Sequence, residues 1–266
     1  MASVSTSGAR SLPARASTIE VRFGCEVKPD SASSAPSTAS TPAPTAATPA
    51  AALRPYEATY AFIWKGFTAG TSTFTLRRES ATQWTYRSET HPRGLFRLVP
   101  QASRTLTSRL EVSDDGQVRP LWITDVEDGA SEPQSHVQFD WTAMRATGSV
   151  EGQAIDMPLK AGVQEDLSAQ LSLMLALARG QPPAQFSVFD KSGIRDYRYE
   201  RAGSETLQTA IGEVATEVYR SSKQYSPRTT RYWCAPSLGF LPVKVEQRRG
   251  DAEEWTMELR ALRRDP

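Results

Sequence analysis

Two histidines, two cysteines and two knots of carboxylates are the residues in this 266-residue chain whose types could do chemistry. His91 precedes Pro92 in a loop, and His136 lies in the alternating run SHVQFDW. Zinc needs several His, Cys or carboxylate ligands at short spacings. No such spacing links the histidines to one another or to a cysteine, so no metal is expected. A histidine acting as a general base needs a nucleophile to activate. The chain has no Gly-x-Ser-x-Gly elbow, no phosphate loop and no dinucleotide fingerprint. Asp125, Glu127 and Asp128 could form an acid–base pair, but at a strand end the same residues read as a solvated turn. Glu165 and Asp166 open a helix, where negative charge offsets the helix dipole. Capping accounts for both. No catalytic residue and no cofactor is expected, and a hydrolase is the weakest of the functional readings.

Cys25 falls in the N-terminal tail and Cys234 near a strand end. They share no local spacing pattern. A bridge between them in an oxidising compartment is one reading. Cys234 as a small, semi-buried apolar residue is the simpler one.

Lys and Arg number 31 and Asp and Glu 30, for a net charge of +1 and a pI near 7.8. So balanced a chain has no long-range field to draw in a polyanion, and nucleic acid is not an expected partner. No segment approaches the roughly 18 apolar residues of a membrane span. The opening residues lack the apolar core of a signal peptide. RFGC places glycine before Cys25 as a lipoprotein site would, but Arg22 and the missing apolar run speak against lipidation.

The elements that would position any site follow from periodicity. Residues 29–52 are almost wholly Ala, Ser, Thr and Pro, a flexible tether with nothing to bury. The expected organisation is a tail over 1–52 and one β-rich domain over 53–266. From Tyr56 the period becomes two, with Tyr56, Ala58, Tyr60, Phe62 and Trp64 on one face. KGFTAG then turns the chain, with Gly66 and Gly70 supplying permissive backbone. Trp84 and Tyr86 alternate in the next run but one, and a weaker hairpin is expected around Gly152. The expected fold is mainly β: a large curled antiparallel sheet, half-barrel or barrel-like, of about eleven or twelve strands.

VQEDLSAQLSLMLALARG is the one strongly helical stretch. A helix over 164–179 carries Leu167, Leu171, Met174, Leu175 and Ala178 on one stripe and Leu173 and Leu177 on the next. So apolar a helix is buried on most sides, and it fits the concave face of the sheet. A second apolar segment, HPRGLFRLVPQ, either staples onto the sheet or forms a second lid through Leu95, Phe96 and Leu98.

YEATYAFIWKGFTAGTSTFTLRRE, RGLFRL, DLSAQLSLMLALARG and YWCAPSLGFLPVKVEQRR together resemble an uncharacterised bacterial exported family, "domain of unknown function three-one-zero-eight". The likeness spans residues 54–263, with Cys234 where the family has an aliphatic residue. It implies an anchor before the linker, a periplasmic or envelope location, and a fold similar to the lipoprotein-carrier (LolA/LolB-like) group. It supplies no catalytic residues. The leading expectation is a non-enzymatic protein that binds a hydrophobic small molecule or lipid. Tyr60, Phe62, Trp64, Trp84, Tyr86, Leu171, Met174 and Leu175 would line the cavity. The competing expectation is a structural or interaction module with a filled core and an unknown envelope partner.

Overall fold

The computed structural model describes residues 53–98, 103–128, 130–182, 185–190 and 193–264. The tail and Cys25 lie outside them. The alternating runs form β1 (Tyr56–Trp64), β2 (Phe67–Arg78), β3 (Gln83–Pro92), β4 (Arg104–Val112), β5 (Val118–Glu127), β6 (Ser135–Asp140), β7 (Arg145–Val150) and β8 (Gln153–Pro158). The helix α1 (Asp166–Ala178) follows. Then come β9 (Gln185–Asp190), β10 (Gly193–Thr209), β11 (Gly212–Lys223), β12 (Arg228–Ala235), β13 (Leu241–Arg249) and β14 (Ala252–Arg264). The strands number fourteen among the described residues because the weak hairpin around Gly152 makes two full strands, β7 and β8.

All fourteen lie in one antiparallel sheet, in the order β8-β7-β6-β5-β4-β3-β2-β1-β14-β13-β12-β11-β10-β9. The first and last strands pair at its centre, from Tyr56 opposite Arg264 to Trp64 opposite Trp255. The sheet curls because strands twist, and bulges sharpen the bend. Register shifts fall at Thr59/Tyr60, Phe62/Ile63 and Trp233/Cys234, among others.

The curl brings the edge strands β8 and β9 together without pairing them. Side chains close the seam: Phe139 of β6 meets Phe189 of β9 edge-on at 5.8 Å, within a cluster that includes Val137, Met157 and Ile194. Lys160 reaches Asp196 at 3.5 Å. Just before α1, the main chain is stitched to β9 by a parallel bridge, Gln164 with Val188. The crossover from β8 to β9 runs through the concave side as α1, as the apolar pattern predicts.

Inward alternation follows the sequence. Tyr56, Ala58, Tyr60 and Phe62 are buried, as are Leu241, Val243, Val245, Trp255, Met257 and Leu259. Gly70 departs from its expected role. The turn is only Lys65–Gly66, with Gly66 at φ 81°. Gly70 lies inside β2, opposite Pro92 of β3, and a Cβ there would sit 2.4 Å from the His91 carbonyl oxygen. Its missing side chain lets two strands approach. Gly70→Ala is expected to cost about 1–3 kcal/mol by overpacking. Urea unfolding would measure this, and a variant as stable as the parent would show that β3 yields freely.

Candidate functional site

Among the described residues the helix is the one element inside the curl, so a site in the concave face must form around it. Its N-terminal end is fastened by polar contacts. Glu165 is the N-cap; its carboxylate accepts from the Leu167 and Ser168 amides, each at 2.8 Å. The Ser168 hydroxyl in turn accepts from the Glu165 amide, completing a capping box. Ser108 of β4 donates to the same carboxylate at 2.8 Å. Gln164 donates to the Val118 carbonyl of β5 and accepts from Ser172. Capping therefore does explain Glu165, with a tie to the sheet added. The C-terminal end closes at Gly180, φ 68°, whose amide donates to the Leu177 carbonyl at 2.9 Å.

The middle of the helix meets a packed aromatic wall. Gln170 donates to the Tyr86 hydroxyl at 2.9 Å, and so does the Tyr56 hydroxyl at 2.8 Å. The Tyr60 hydroxyl donates to the Pro242 carbonyl at 2.8 Å. Tyr60 lies edge-on to Phe74 at 5.5 Å. Burial pushes the hydroxyls of Tyr56, Tyr60 and Tyr86 up, so all three stay neutral. Of the residues expected to line a cavity, Tyr60, Phe62, Trp84 and Tyr86 are buried in this wall, and Leu171 is buried on the helix that packs against it. Trp64 is half-buried at one end of the sheet, where Phe96 meets it edge-on at 5.9 Å.

Open space lies at the C-terminal end of α1. A cleft of about 280 Å³ is floored by Tyr56, Met174, Leu175 and Leu238. Arg54 and Arg264 stand exposed at its rim. Arg264 donates to the Leu238 carbonyl, which holds its guanidinium across the cleft mouth. Met174 and Leu175, both expected lining residues, thus meet free volume. Arg54, Leu238 and Arg264 carry no signal in the sequence, because the cleft joins segments far apart in the chain.

A smaller notch of about 50 Å³ lies at the other end of α1, among Arg104, Asp125, Glu165, Asp166 and Asp190. Asp125 is not part of a solvated turn. It is 4% exposed and forms a two-pronged ion pair with Arg104. The three acids are also separated by their partners: Glu127 accepts from Gln134, and Asp128 from Ser103. Asp190 pairs with Lys223 at 3.1 Å. Burial raises the pKa of Glu165, and burial followed by the Glu165 charge lifts that of Asp166 to about 7, against the pull of Arg104.

The remaining candidates are dispersed. His91 is exposed and 3.4 Å from the Ser103 hydroxyl, while His136 lies on β6 beside Gln138. Cys234 is fully buried, and burial pushes its thiol up, so it stays protonated. No group of three or more His, Cys, Asp or Glu among the described residues could hold a metal ion. No helix among them is long and apolar enough to cross a membrane. In the second apolar segment, Phe96 staples to Trp64 while Leu95 stands 83% exposed; the side chain of Leu98 lies outside what is described.

Among solved structures, the fold is similar to a beta-barrel-like protein of the domain of unknown function DUF1849 from Brucella abortus. The identity is 12%, the alignment covers 80% of this chain and 99% of that one, and the TM-score is 0.51. It is more distantly similar to a protein with a YmcC-like fold from Bacteroides fragilis, at 11% identity over 79% and 96% of the two chains, with a TM-score of 0.33. No curated protein matches the sequence. The profile of the family described as "Protein of unknown function (DUF3108)" matches residues 55–260, which takes in the helix and the sheet up to the last strand. The chain belongs to the DUF3108 family.

Proposed function

We propose that this domain is a non-enzymatic binder of a small amphiphile, one apolar chain with an anionic head, and that it works in the bacterial cell envelope. The cleft at the C-terminal end of α1 carries this reading. Its floor of Met174, Leu175, Tyr56 and Leu238 suits a hydrocarbon, and its rim of Arg54 and Arg264 suits a carboxylate or phosphate. Its 280 Å³ is near the lower bound of about 300 Å³ for ligand pockets, room for one short chain or the end of a longer one. A longer chain would need α1 to shift, which the polar ties at its other end resist. A binding role without catalysis fits the neutral, buried thiol and tyrosines. An envelope location fits the exported family that the sequence resembles.

The filled wall around Leu171 favours a second reading, an interaction module without ligand. Native mass spectrometry of the whole chain purified from bacteria, followed by organic extraction and titration with a fluorescent fatty acid, separates the two. Binding is expected, and Arg264→Gln is expected to weaken it about tenfold through loss of one charge-assisted hydrogen bond. A bare protein that takes up no fatty acid would leave the interaction module standing.

A further inference from the structure

The end of the sheet opposite the cleft carries bulky apolar side chains in solvent. Phe67, just after the β1–β2 turn, is 70% exposed, and Leu95 is 83% exposed in the short helical turn Gly94–Leu98 that follows β3. Because strands alternate in direction, both connections lie at the same end. Tyr225, 67% exposed between β11 and β12, is at that end as well. The first two segments are fastened together: the Arg93 amide donates to the Ala69 carbonyl at 2.8 Å, and Phe96 abuts Trp64. Leu95 and Phe67 are therefore held out on a rigid base.

Cations ring these apolar tips. Lys65 holds its ammonium 4.8 Å over the Trp64 ring, and Arg93 and Arg97 flank Leu95. All three are exposed, and none has a carboxylate partner among the described residues. Elsewhere on the sheet some arginines pair with acids, as Arg87 does with Glu89 and Arg220 with Glu200, while others such as Arg77 and Arg231 have no acid partner among the described residues either. No acid falls within 64–67 or 93–97, whereas the β5–β6 and β13–β14 connections at the same end carry Asp128, Glu132, Asp251 and, at the start of β14, Glu253, so the cationic character is local to these two segments.

We propose that this rim docks the domain on an anionic lipid surface, with Phe67 and Leu95 entering the acyl boundary and Lys65, Arg93 and Arg97 meeting lipid phosphates. Exposed apolar tips suit a fluid surface that needs no matching shape, and cations beside them suit anionic headgroups. The residues differ from those of the cleft, so this docking stands or falls apart from ligand binding.

The test is co-sedimentation of the whole chain with vesicles of phosphatidylcholine, alone or mixed with phosphatidylglycerol. Binding is expected only with the anionic lipid and is expected to fall as salt is added. Phe67→Ser with Leu95→Ser, and separately Lys65→Glu with Arg93→Glu and Arg97→Glu, are each expected to reduce it at least about tenfold. All five positions are exposed, so thermal unfolding should match the parent and show that loss of binding is not loss of fold. Absence of sedimentation with anionic vesicles would overturn the proposal. So would binding that ignores both sets of substitutions. A protein captured through Phe67 and Leu95 without any vesicle binding would also overturn it, and would reassign the rim to a protein partner.

Discussion

Leu171→Ala is expected to lose about 2–5 kcal/mol of folding stability, the range for truncating a core leucine whose surroundings cannot collapse. Leu171 is 0% exposed at the middle of α1, against the wall that Tyr60, Phe62, Trp84 and Tyr86 help to build. Chemical unfolding followed by tryptophan fluorescence measures it. The size of the loss also reports on the helix. If α1 rested on the sheet as a loose cover, truncation would open no cavity and would cost about 1 kcal/mol or less. Leu171→Asp goes further: a carboxylate there would have neither water nor a partner, and the variant is not expected to fold. The proposed binding at the cleft is better probed at Arg264, which is exposed and which the core does not need.

The second large effect is a fall in stability between about pH 4 and pH 7, set by Asp166. Burial and the neighbouring Glu165 charge lift its pKa from 3.8 to about 7, while Arg104 opposes the rise. A carboxyl whose pKa rises on folding binds its proton more tightly in the native state than in the unfolded chain. Its contribution is therefore fully present below the unfolded value and is lost as pH climbs through about 7. A tenfold change in proton affinity is worth about 1.4 kcal/mol, so the whole effect is on the order of a few kcal/mol. Glu165 is raised as well and adds with the same sign. Asp125 and Asp190 face the same notch, already paired with Arg104 and Lys223. Asp166→Asn is expected to flatten the pH profile and to be more stable than the parent above neutrality. A parent profile that stays level through this range would show that the notch admits enough water to solvate the charge.

How much of the fold and the cleft is legible in the sequence depends on how far apart the cooperating residues lie. The strand from Tyr56 to Trp64 and the helix around Leu171 announce themselves, because the period of their apolar residues is a local property. The curl of the sheet also follows, since many twisted antiparallel strands with one apolar face must bend around something. Gly70 misleads because a glycine that permits a turn and one that permits close strand approach look alike in one dimension. Asp125 reads as solvated because its partner, Arg104, comes into reach only once β4 and β5 are in register. The cleft is beyond reading for the same reason at longer range: Arg54, Met174, Leu238 and Arg264 share nothing in sequence. Phe67 and Leu95 are visible as apolar residues, but periodicity assigns such residues inward and cannot say which ones the fold leaves outside.

The pairing of β1 with β14 makes this chain, in connectivity, a ring that happens to be cut at its best-supported point. Tyr56 lies opposite Arg264, so a short linker could join the ends of the domain without disturbing a strand. The ring could then be reopened at the crossover between β8 and β9, where no ladder is broken. The rearranged chain would run as one uninterrupted meander of fourteen strands, with α1 hanging from one terminus instead of bridging two halves. Such a circular permutant separates in the chain what the natural order fuses: the sheet becomes one continuous meander, and the helix a terminal segment that still has to fill its core.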